Sequence, residues 1–307
     1  MKTKKTKMKM TFGDRCFTTV IYCILAFVVV VTLYPLLYVL SASVSDPRAV
    51  ITGKMILFPI NPTLDGYLTT FKYKAIWIGY ANTIFYTVVG TIMNLLITLP
   101  CAYGLSRKDL AGRGVIMTLF IITMYFGGGM IPTYLTMNSY GLVNNHWSLL
   151  FVGLVNTYNL IVARTFFANS IPWELHEAAY LDGASNFQVF RRVVLPLSSP
   201  IIVVLTLYYG IAHWNEYMSA LIYLRDRNLF PLQLFLKEIL TQNQLAAESM
   251  ENSGISPEMM YELEKMGEVA DRMKYCIIVI ASAPMLIVYP RLQKFFAKGA
   301  MVGSVKG

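Results

Sequence analysis

Long apolar blocks, separated by shorter polar segments, dominate the hydrophobic pattern of this chain. Six of these blocks cover residues 17–40, 76–103, 114–137, 147–170, 199–224 and 272–296. At about 1.5 Å of rise per residue, a helix of each length can cross a hydrocarbon core about 30 Å thick. The pattern therefore predicts an all-α integral membrane protein with six transmembrane helices.

The composition is that of a membrane protein, and the distribution of Lys and Arg along the chain decides how the net charge is interpreted. Of the 307 residues, 56% are hydrophobic and only 14% are charged, whereas a soluble domain has about 25% charged residues. The net charge of +9 could indicate nucleic-acid binding. However, 16 of the 26 Lys and Arg residues lie in the N-terminal tail, the loop 104–113, the segment 164–198 and the C-terminal segment. Because cytoplasmic loops are enriched in Lys and Arg, we predict a multi-pass plasma-membrane protein with both termini in the cytoplasm and no nucleic-acid partner.

The N-terminal region has the charge pattern of either a signal peptide or a first span. The apolar run 17–40 is too long for an ordinary leader, and no A-x-A-type cleavage site follows it. We therefore predict a cytoplasmic basic tail at 1–16 and a retained first span with an outer loop at 17–75. A core with the remaining five spans follows at 76–290, and a cytoplasmic tail at 291–307.

The polar segment 174–196, ELHEAAYLDGASNFQVFRRVVLP, interrupts the apolar pattern on the side predicted to be cytoplasmic. Pro172 suits the first turn of a helix, and Glu174 and Glu177 complement the positive end of the helix dipole. Gly183 should end this helix, and Ser185 can cap a second helix that runs into the fifth span. The sequence thus predicts a short surface helix, a sharp turn and a second helix within residues 171–198.

The residue spacing of this segment resembles the signature loop of permease subunits of ABC importers. The matching positions are Glu177, Ala178, Ala179, Gly183, Val193, Leu195 and Pro196, and Val193 stands where the family more often has Ile. The resemblance implies a type I importer permease fold, in which a coupling helix between spans four and five docks into a cleft of a cytoplasmic ATPase dimer. The residues implied in ATPase coupling are Glu174, Glu177, Ala178, Ala179, Asp182, Gly183, Leu195 and Pro196.

The chain has no G-x-x-x-x-G-K-[ST] phosphate-binding loop. We therefore predict that it is not an enzyme and binds no cofactor itself, so that ATP and Mg²⁺ would belong to the partner ATPase. The family resemblance also implies a second homologous permease subunit and an extracytoplasmic solute-binding lipoprotein, in addition to membrane lipids.

Residues well inside the fifth span, about eight positions from its outer end, are candidates for contact with a transported molecule. An ionised carboxylate such as Glu216 costs about 2.5–3.5 kcal/mol at the centre of a membrane helix, so it should face the bundle interior or water. The residues that could border a translocation route are Trp214, Asn215, Glu216 and Tyr217, because aromatic faces stack on sugars and polar atoms bind hydroxyl groups. Alternatively, Glu216 makes a helix–helix hydrogen bond or an ion pair. Polar residues of the fourth span, Asn156, Tyr158 and Asn159, have the same two interpretations.

The W-N-E-Y stretch also resembles the maltose-type, sugar-transporting branch of the importer permeases. Residues 126–145, residues 223–240 and the C-terminal KGAMVGSVKG resemble a subgroup that takes up oligosaccharides and complex glycans in Gram-positive bacteria. The resemblance implies a carbohydrate substrate and favours a heterodimer of permease subunits. The exact sugar is not specified by these residues.

Two further segments have alternative interpretations. Gly127, Gly128 and Gly129 interrupt the third span, and they form either a hinge that lines a cavity or a site of close helix packing. Residues 232–245 of the outer loop 225–271 read as an amphipathic helix. This helix either lies on the outer membrane surface, contacts a binding protein, or belongs to a solvated loop.

Two other classes of membrane protein fit the sequence less well. An ion-coupled secondary transporter, the main alternative, would need several buried carboxylates or inverted repeats, and only Glu216 is a convincing buried acid. A membrane-embedded enzyme would need clustered catalytic residues, but the histidines are dispersed at positions 146, 176 and 213. The four cysteines lie in or beside apolar blocks, so neither disulfides nor a metal site are predicted.

Overall fold

A computed structural model of the protein describes residues 11–251, 267, 270–288 and 290, with side chains in the first range up to residue 241. Within these ranges the chain is helical and contains no β-strand. The predicted tails, apart from residues 11–16, and the middle of the outer loop 225–271 lie outside the described residues. The structure thus confirms the all-α class for the part of the chain that it describes.

The helices, in chain order, are α1 (Phe12–Ser43), α2 (Pro47–Ile51), α3 (Asp65–Lys72), α4 (Lys74–Ser106), α5 (Arg113–Tyr125), α6 (Met130–Ser139), α7 (Trp147–Phe151), α8 (Thr157–Ser170), α9 (Glu174–Leu181), α10 (Asn186–Val189), α11 (Leu195–Leu197), α12 (Ser199–Trp214), α13 (Met218–Tyr223), α14 (Leu232–Glu251) and α15 (270–288). A π-helical turn, Phe190–Val194, joins α10 to α11, and a 3₁₀ turn, Arg227–Leu229, precedes α14.

Only part of the predicted six-span arrangement appears as single straight helices. Among the described residues, α1 and α4 are each long and apolar enough to cross a membrane. The block predicted as the third span forms α5 and α6, which meet at an angle of 114°. The helical run 186–197 and α12 meet at 80°, so the second helix of the polar segment does not continue straight into the fifth span. Counting each bent pair as one span gives up to four spans, which supports an integral membrane protein without confirming six.

The bend before α12 has a local cause in the sequence. The helix restarts at Ser199 with Pro200 in its first turn, where the missing N–H of proline costs no intrahelical hydrogen bond. The hydroxyl of Ser198 donates to the carbonyl of Val194 at 2.6 Å and is fully buried. The chain therefore changes direction where its backbone and side-chain donors remain paired.

Helix α4 is the central element of the bundle. It packs against α8 and α12 along one part of its length and against α14 near its first residues. Leu99, Ala102, Leu160 and Leu205 belong to the core at the C-terminal half of α4. A second core near its N-terminal end includes Ile76, Leu232 and Ile277. Helix α4 therefore connects helices from both halves of the chain through direct packing.

The outer-loop helix predicted at 232–245 is present as α14, but its first turns are not on a surface. Leu232, Leu234 and Phe235 are buried against α4 and neighbouring segments. The backbone N–H of Leu232 donates to the hydroxyl of Thr83 on α4 at 2.8 Å. The start of α14 therefore belongs to the bundle rather than to the outer membrane surface.

Candidate functional site

The polar segment 174–196 has the local structure that its sequence predicts. Helix α9 runs from Glu174 to Leu181 and ends before Gly183, whose φ of +77° is a left-handed conformation that glycine adopts without strain. The Ser185 side chain accepts the N–H of Gln188, and the Gln188 side chain accepts the N–H of Ser185, which forms a capping box for α10. We call residues 174–196 the coupling segment from here on, after the permease loop that their sequence resembles.

One side of the coupling segment is exposed. Most of the residues predicted to contact an ATPase are exposed, whereas Ala179 and Leu195 are partly buried against the core. The exposed ones are Glu174, Glu177, Ala178, Asp182, Gly183 and Pro196. Two large apolar side chains flank the Gly183 turn, Leu181 at 89% exposure and Phe187 at 68%. Sequence reasoning missed these two residues, although large apolar side chains in a polar loop are a recognised sign of a docking surface.

The opposite side of α9 packs on the end of α4 through stacked rings. His176 is buried, with 5% of its surface exposed. Its imidazole stacks between Trp173, at 4.9 Å between ring centroids, and Tyr103 of α4, at 5.9 Å. Neither ring nitrogen has a hydrogen-bond partner among the described residues. Burial lowers the pKa of His176 below its ordinary value, the Pro172 carbonyl opposes this shift, and Arg107 and Asp109 act in opposite directions. Burial therefore favours the neutral form of this imidazole.

A polar cavity of about 550 Å³ lies between the α7–α8 region and the α12–α13 region. Its polar lining residues are Asn156, Tyr158, Asn159, Tyr208, Tyr209, His213, Glu216 and Ser219. The fourth-span residues of uncertain role, Asn156, Tyr158 and Asn159, thus meet Glu216 at one site. The lining thus offers tyrosine rings, amides and one carboxylate, a set of groups that is suited to binding hydroxyl groups. No Lys or Arg side chain occurs among the described lining residues.

Buried polar residues of α4 support the wall of this cavity. His213 Nε2 lies 2.7 Å from Asn94 Oδ1, and the Asn94 amide donates to the carbonyl of Leu154 at 2.7 Å. The hydroxyls of Thr98 and Tyr209 lie 2.8 Å apart. Sequence reasoning missed Asn94 and Thr98, whose spacing of four residues places them on one face of α4.

The four residues predicted to border a translocation route are adjacent in sequence but have different surroundings in the structure. They are Trp214, Asn215, Glu216 and Tyr217. The expectation of one continuous helix through them is wrong, because α12 ends at Trp214 and α13 begins at Met218. Trp214 is buried, and its indole N–H donates to the carbonyl of Ala281 at 3.0 Å. Trp214 and Asn215 line a second cavity of about 280 Å³ beside α15. Only Glu216 lines the polar cavity, while Tyr217 is exposed.

The break after α12 explains how Glu216 is accommodated in an apolar region. Glu216 Oε1 accepts the backbone N–H of Ser219 at 2.8 Å, so this carboxylate satisfies an amide at the start of α13. The partner of Glu216 is thus a helix end rather than the neighbouring-helix side chain or cation that the sequence suggested. A carboxylate near a helix N-terminus is also favoured by the helix dipole.

The glycines of the third span lie in a break between helices. α5 ends at Tyr125, α6 begins at Met130, and Gly129 has a φ of +87°. A methyl group placed on Gly127 or Gly128 would meet no atom within 4 Å among the described residues. Among the described residues, these glycines therefore lie at a bend and make no close contact with a neighbouring helix.

These features define a class of protein: a helical membrane subunit with an exposed helix–turn–helix segment at one end and a polar cavity between its helices. The family model described as binding-protein-dependent transport system inner membrane component matches residues 74–302. The chain belongs to this family, which makes it a transport permease subunit and argues against an ion-coupled secondary transporter.

Full-length relatives and a solved structure agree with this assignment. The chain is 38% identical over 298 residues to the polygalacturonan/rhamnogalacturonan transport system permease protein YtcP of Bacillus subtilis strain 168, covering 96% of this chain and 99% of that protein. It is 37% identical over 303 residues to protein LplC of the same organism, covering 98% of each. A chain from the crystal structure of a bacterial ABC transporter involved in import of the acidic polysaccharide alginate matches with a TM-score of 0.82 and 33% identity, covering 94% of this chain and all of that chain.

Proposed function

We propose that this chain is one permease subunit of an ATP-driven importer and that it moves an oligosaccharide across the plasma membrane. Relatives described as polygalacturonan/rhamnogalacturonan and arabinooligosaccharide permeases, and the alginate importer, support a carbohydrate cargo. The polar cavity supports the same cargo, because rings, amides and a carboxylate can bind sugar faces and hydroxyl groups. Glu216, Tyr158 and His213 are the contacts that we propose for this subunit.

The observation that carries the proposal is the exposed α9, which ends in a turn with apolar side chains on both sides. We propose that α9 is a coupling helix, which docks into a cleft of a cytoplasmic ATPase dimer. Leu181 and Phe187 would enter apolar parts of that cleft, and Glu177 would meet a polar rim. ATP hydrolysis then occurs on the partner, and this chain converts closure of the ATPase dimer into movement of its spans.

Contacts between loops support the way in which the proposed topology, six spans with both termini in the cytoplasm, groups these loops on two sides of the membrane. Arg107, in a loop predicted to be cytoplasmic, donates to Tyr180 in the coupling segment at 2.6 Å. Asn144 and Arg225, in two loops predicted to be outside, also meet, at 2.8 Å. A second permease subunit, as a heterodimer, and a solute-binding lipoprotein on the outer side complete the proposed assembly.

Charge reversal at Glu177 tests the proposed function. The Glu177→Lys chain should lose its ATPase in co-purification and lose ATP-dependent uptake, because docking requires this face of α9. Asp65→Lys is the matched control, since Asp65 is also an acid in the first turn of a short helix, but in α3. Uptake that persists in Glu177→Lys, or that follows an ion gradient without ATP, would contradict the proposal.

A further inference from the structure

The guanidinium of Arg107 holds both helices of the coupling segment against the end of α4. Arg107 is the residue directly after α4, and its Nη1 donates to Tyr180 of α9 at 2.6 Å and to Asn186 of α10 at 2.8 Å. Tyr180 also donates to Asn186 at 2.7 Å. One cation thus closes a three-residue network across the Gly183 turn.

The surroundings of Arg107 fix the plane of its guanidinium. Asp109 accepts from Nε at 2.8 Å and also from Nη2, which makes a bidentate ion pair. The guanidinium carbon lies 5.8–5.9 Å from the ring centroids of Tyr103, Trp173 and Tyr180. The Arg107 side chain is only 13% exposed, so these contacts are partly shielded from solvent. The ion pair and the hydrogen bonds raise the pKa of Arg107 further above its ordinary value and lower that of Asp109.

On the C-terminal side of α9, the covalent route to α12 is less direct than the route to α4 through Arg107, whereas on its N-terminal side residues 171–173 join α9 to α8. Along the chain, a displacement of α9 must pass the Gly183 turn, the π-helical turn Phe190–Val194 and the 80° bend at Ser198 before it reaches α12. Each of these is an interruption at which a helical path can flex. Through the side chain of Arg107, the same displacement reaches the residue directly after α4 in one step.

We propose that Arg107 is a positioning residue, which makes α9 and α4 move as one unit when the ATPase closes. This inference rests on the proposed docking of α9 to the ATPase. Arginine is required because its planar guanidinium presents donors in two directions at once, to Asp109 on one side and to Tyr180 and Asn186 on the other. Lysine keeps the charge but has no such fork.

The test measures whether α9 and α4 keep a fixed separation during the ATPase cycle. Spin labels are placed at Cys101, an exposed residue of α4, and at Leu175→Cys on α9, with the other three cysteines replaced by serine. Distances are measured in the assembled transporter without nucleotide and after trapping with ATP and vanadate. This measurement requires no knowledge of the sugar.

The wild-type background should give one distance that is the same in both states. Arg107→Gln and Arg107→Lys should bind the ATPase and hydrolyse ATP, but lose this single distance after trapping and gain a second population. Tyr180→Phe, which removes one hydroxyl and keeps the ring, should give the same second population at a smaller fraction. Lys108→Gln is the matched control, because it removes the same charge from an exposed neighbour, and its distance should not change.

Three results would overturn the inference. A single unchanged distance in both Arg107 variants would show that the chain alone holds α9 in place. A shift in the wild-type background would show that α9 and α4 do not move together. Loss of ATPase binding in both Arg107→Gln and Tyr180→Phe would make this network a folding or docking element. If instead the wild-type chain captures no ATPase at all, the proposed function fails and this inference fails with it.

Discussion

Replacement of Gly90 by alanine should disturb the wall of the polar cavity, because Gly90 packs against His213, which lines this cavity. Gly90 lies on α4 against the imidazole of His213 on α12. An added methyl group would lie 2.5 Å from His213 Nε2 and 2.6 Å from Cε1, which is too close for any carbon atom. The ring cannot simply move away, because its Nε2 lies 2.7 Å from Asn94 Oδ1. The substitution therefore strains both the contact between the two helices and this hydrogen bond.

The size of the effect follows from three contributions. Overpacking of a tight contact costs about 1–3 kcal/mol. An interhelical hydrogen bond within a membrane bundle contributes about 0.6–1.7 kcal/mol, and alanine returns about 1 kcal/mol of helix propensity relative to glycine. The first two contributions exceed the third, so Gly90→Ala should destabilise the bundle by about 1–4 kcal/mol.

Thermal unfolding of the purified chain in detergent, followed by tryptophan fluorescence, measures this effect as a change in Tm. Gly104→Ala is the matched control on the same helix, since a methyl group there meets no atom within 4 Å. This control should keep or raise the Tm. His213→Ala provides a second test, because Gly90→Ala should cost little further once the ring is absent. Equal Tm values for Gly90→Ala and Gly104→Ala, or an equal loss with and without the imidazole, would refute the reasoning.

Two other predictions concern the coupling segment. Ser185→Ala removes the cap of α10 and should lower the local stability of this helix by about 1 kcal/mol. The effect should appear as faster amide hydrogen exchange at residues 186–189. The control is Ser139→Ala, at an exposed serine that caps no helix, and equal exchange rates in the two variants would contradict the prediction. Because burial lowers the pKa of His176, the unfolded segment binds a proton more readily, so stability is lost as the pH falls below the ordinary value of 6.5. Proteolysis of residues 174–196 should therefore accelerate between pH 7.5 and 5.5 in the wild type but not in His176→Phe, which keeps the ring stack; equal acceleration in both chains would place the effect at other groups.

The parts of the structure that sequence reasoning predicted are those that depend on neighbouring residues. The start of α9 after Pro172, its end before Gly183 and the cap at Ser185 each follow from the backbone preferences and hydrogen-bonding groups of one or two residues. The break at Gly127–Gly129 follows in the same way. Such signals can be read without knowledge of the tertiary fold, since their partners lie within four residues along the chain.

Several features that sequence reasoning missed depend on residues far apart in the chain. The end of α12 at Trp214 is an exception, because the Glu216 carboxylate accepts a nearby N–H, that of Ser219, but the uniformly apolar run 199–224 hides this break. Arg107 reads as one of several topology-setting cations, and its partner Tyr180 lies 73 positions away. A repeat of Asn and Thr along one face of an apolar span was the available signal for the cavity wall.

The same helix holds both the coupling segment and the cavity wall, and this links the two sites mechanically. Asn94 and Arg107 are 13 positions apart, or about 20 Å along α4 by helical rise. The Asn94 amide binds the carbonyl of Leu154 at 2.7 Å, so a displacement of α4 that lengthens this contact by about 1 Å would exceed hydrogen-bonding distance. A displacement that enters α4 at Arg107 must therefore either break this buried hydrogen bond or carry the α7–α8 link with it. Because an unpaired amide is costly in a membrane bundle, the second outcome is favoured, and movement of α9 would then reshape the cavity through Asn94.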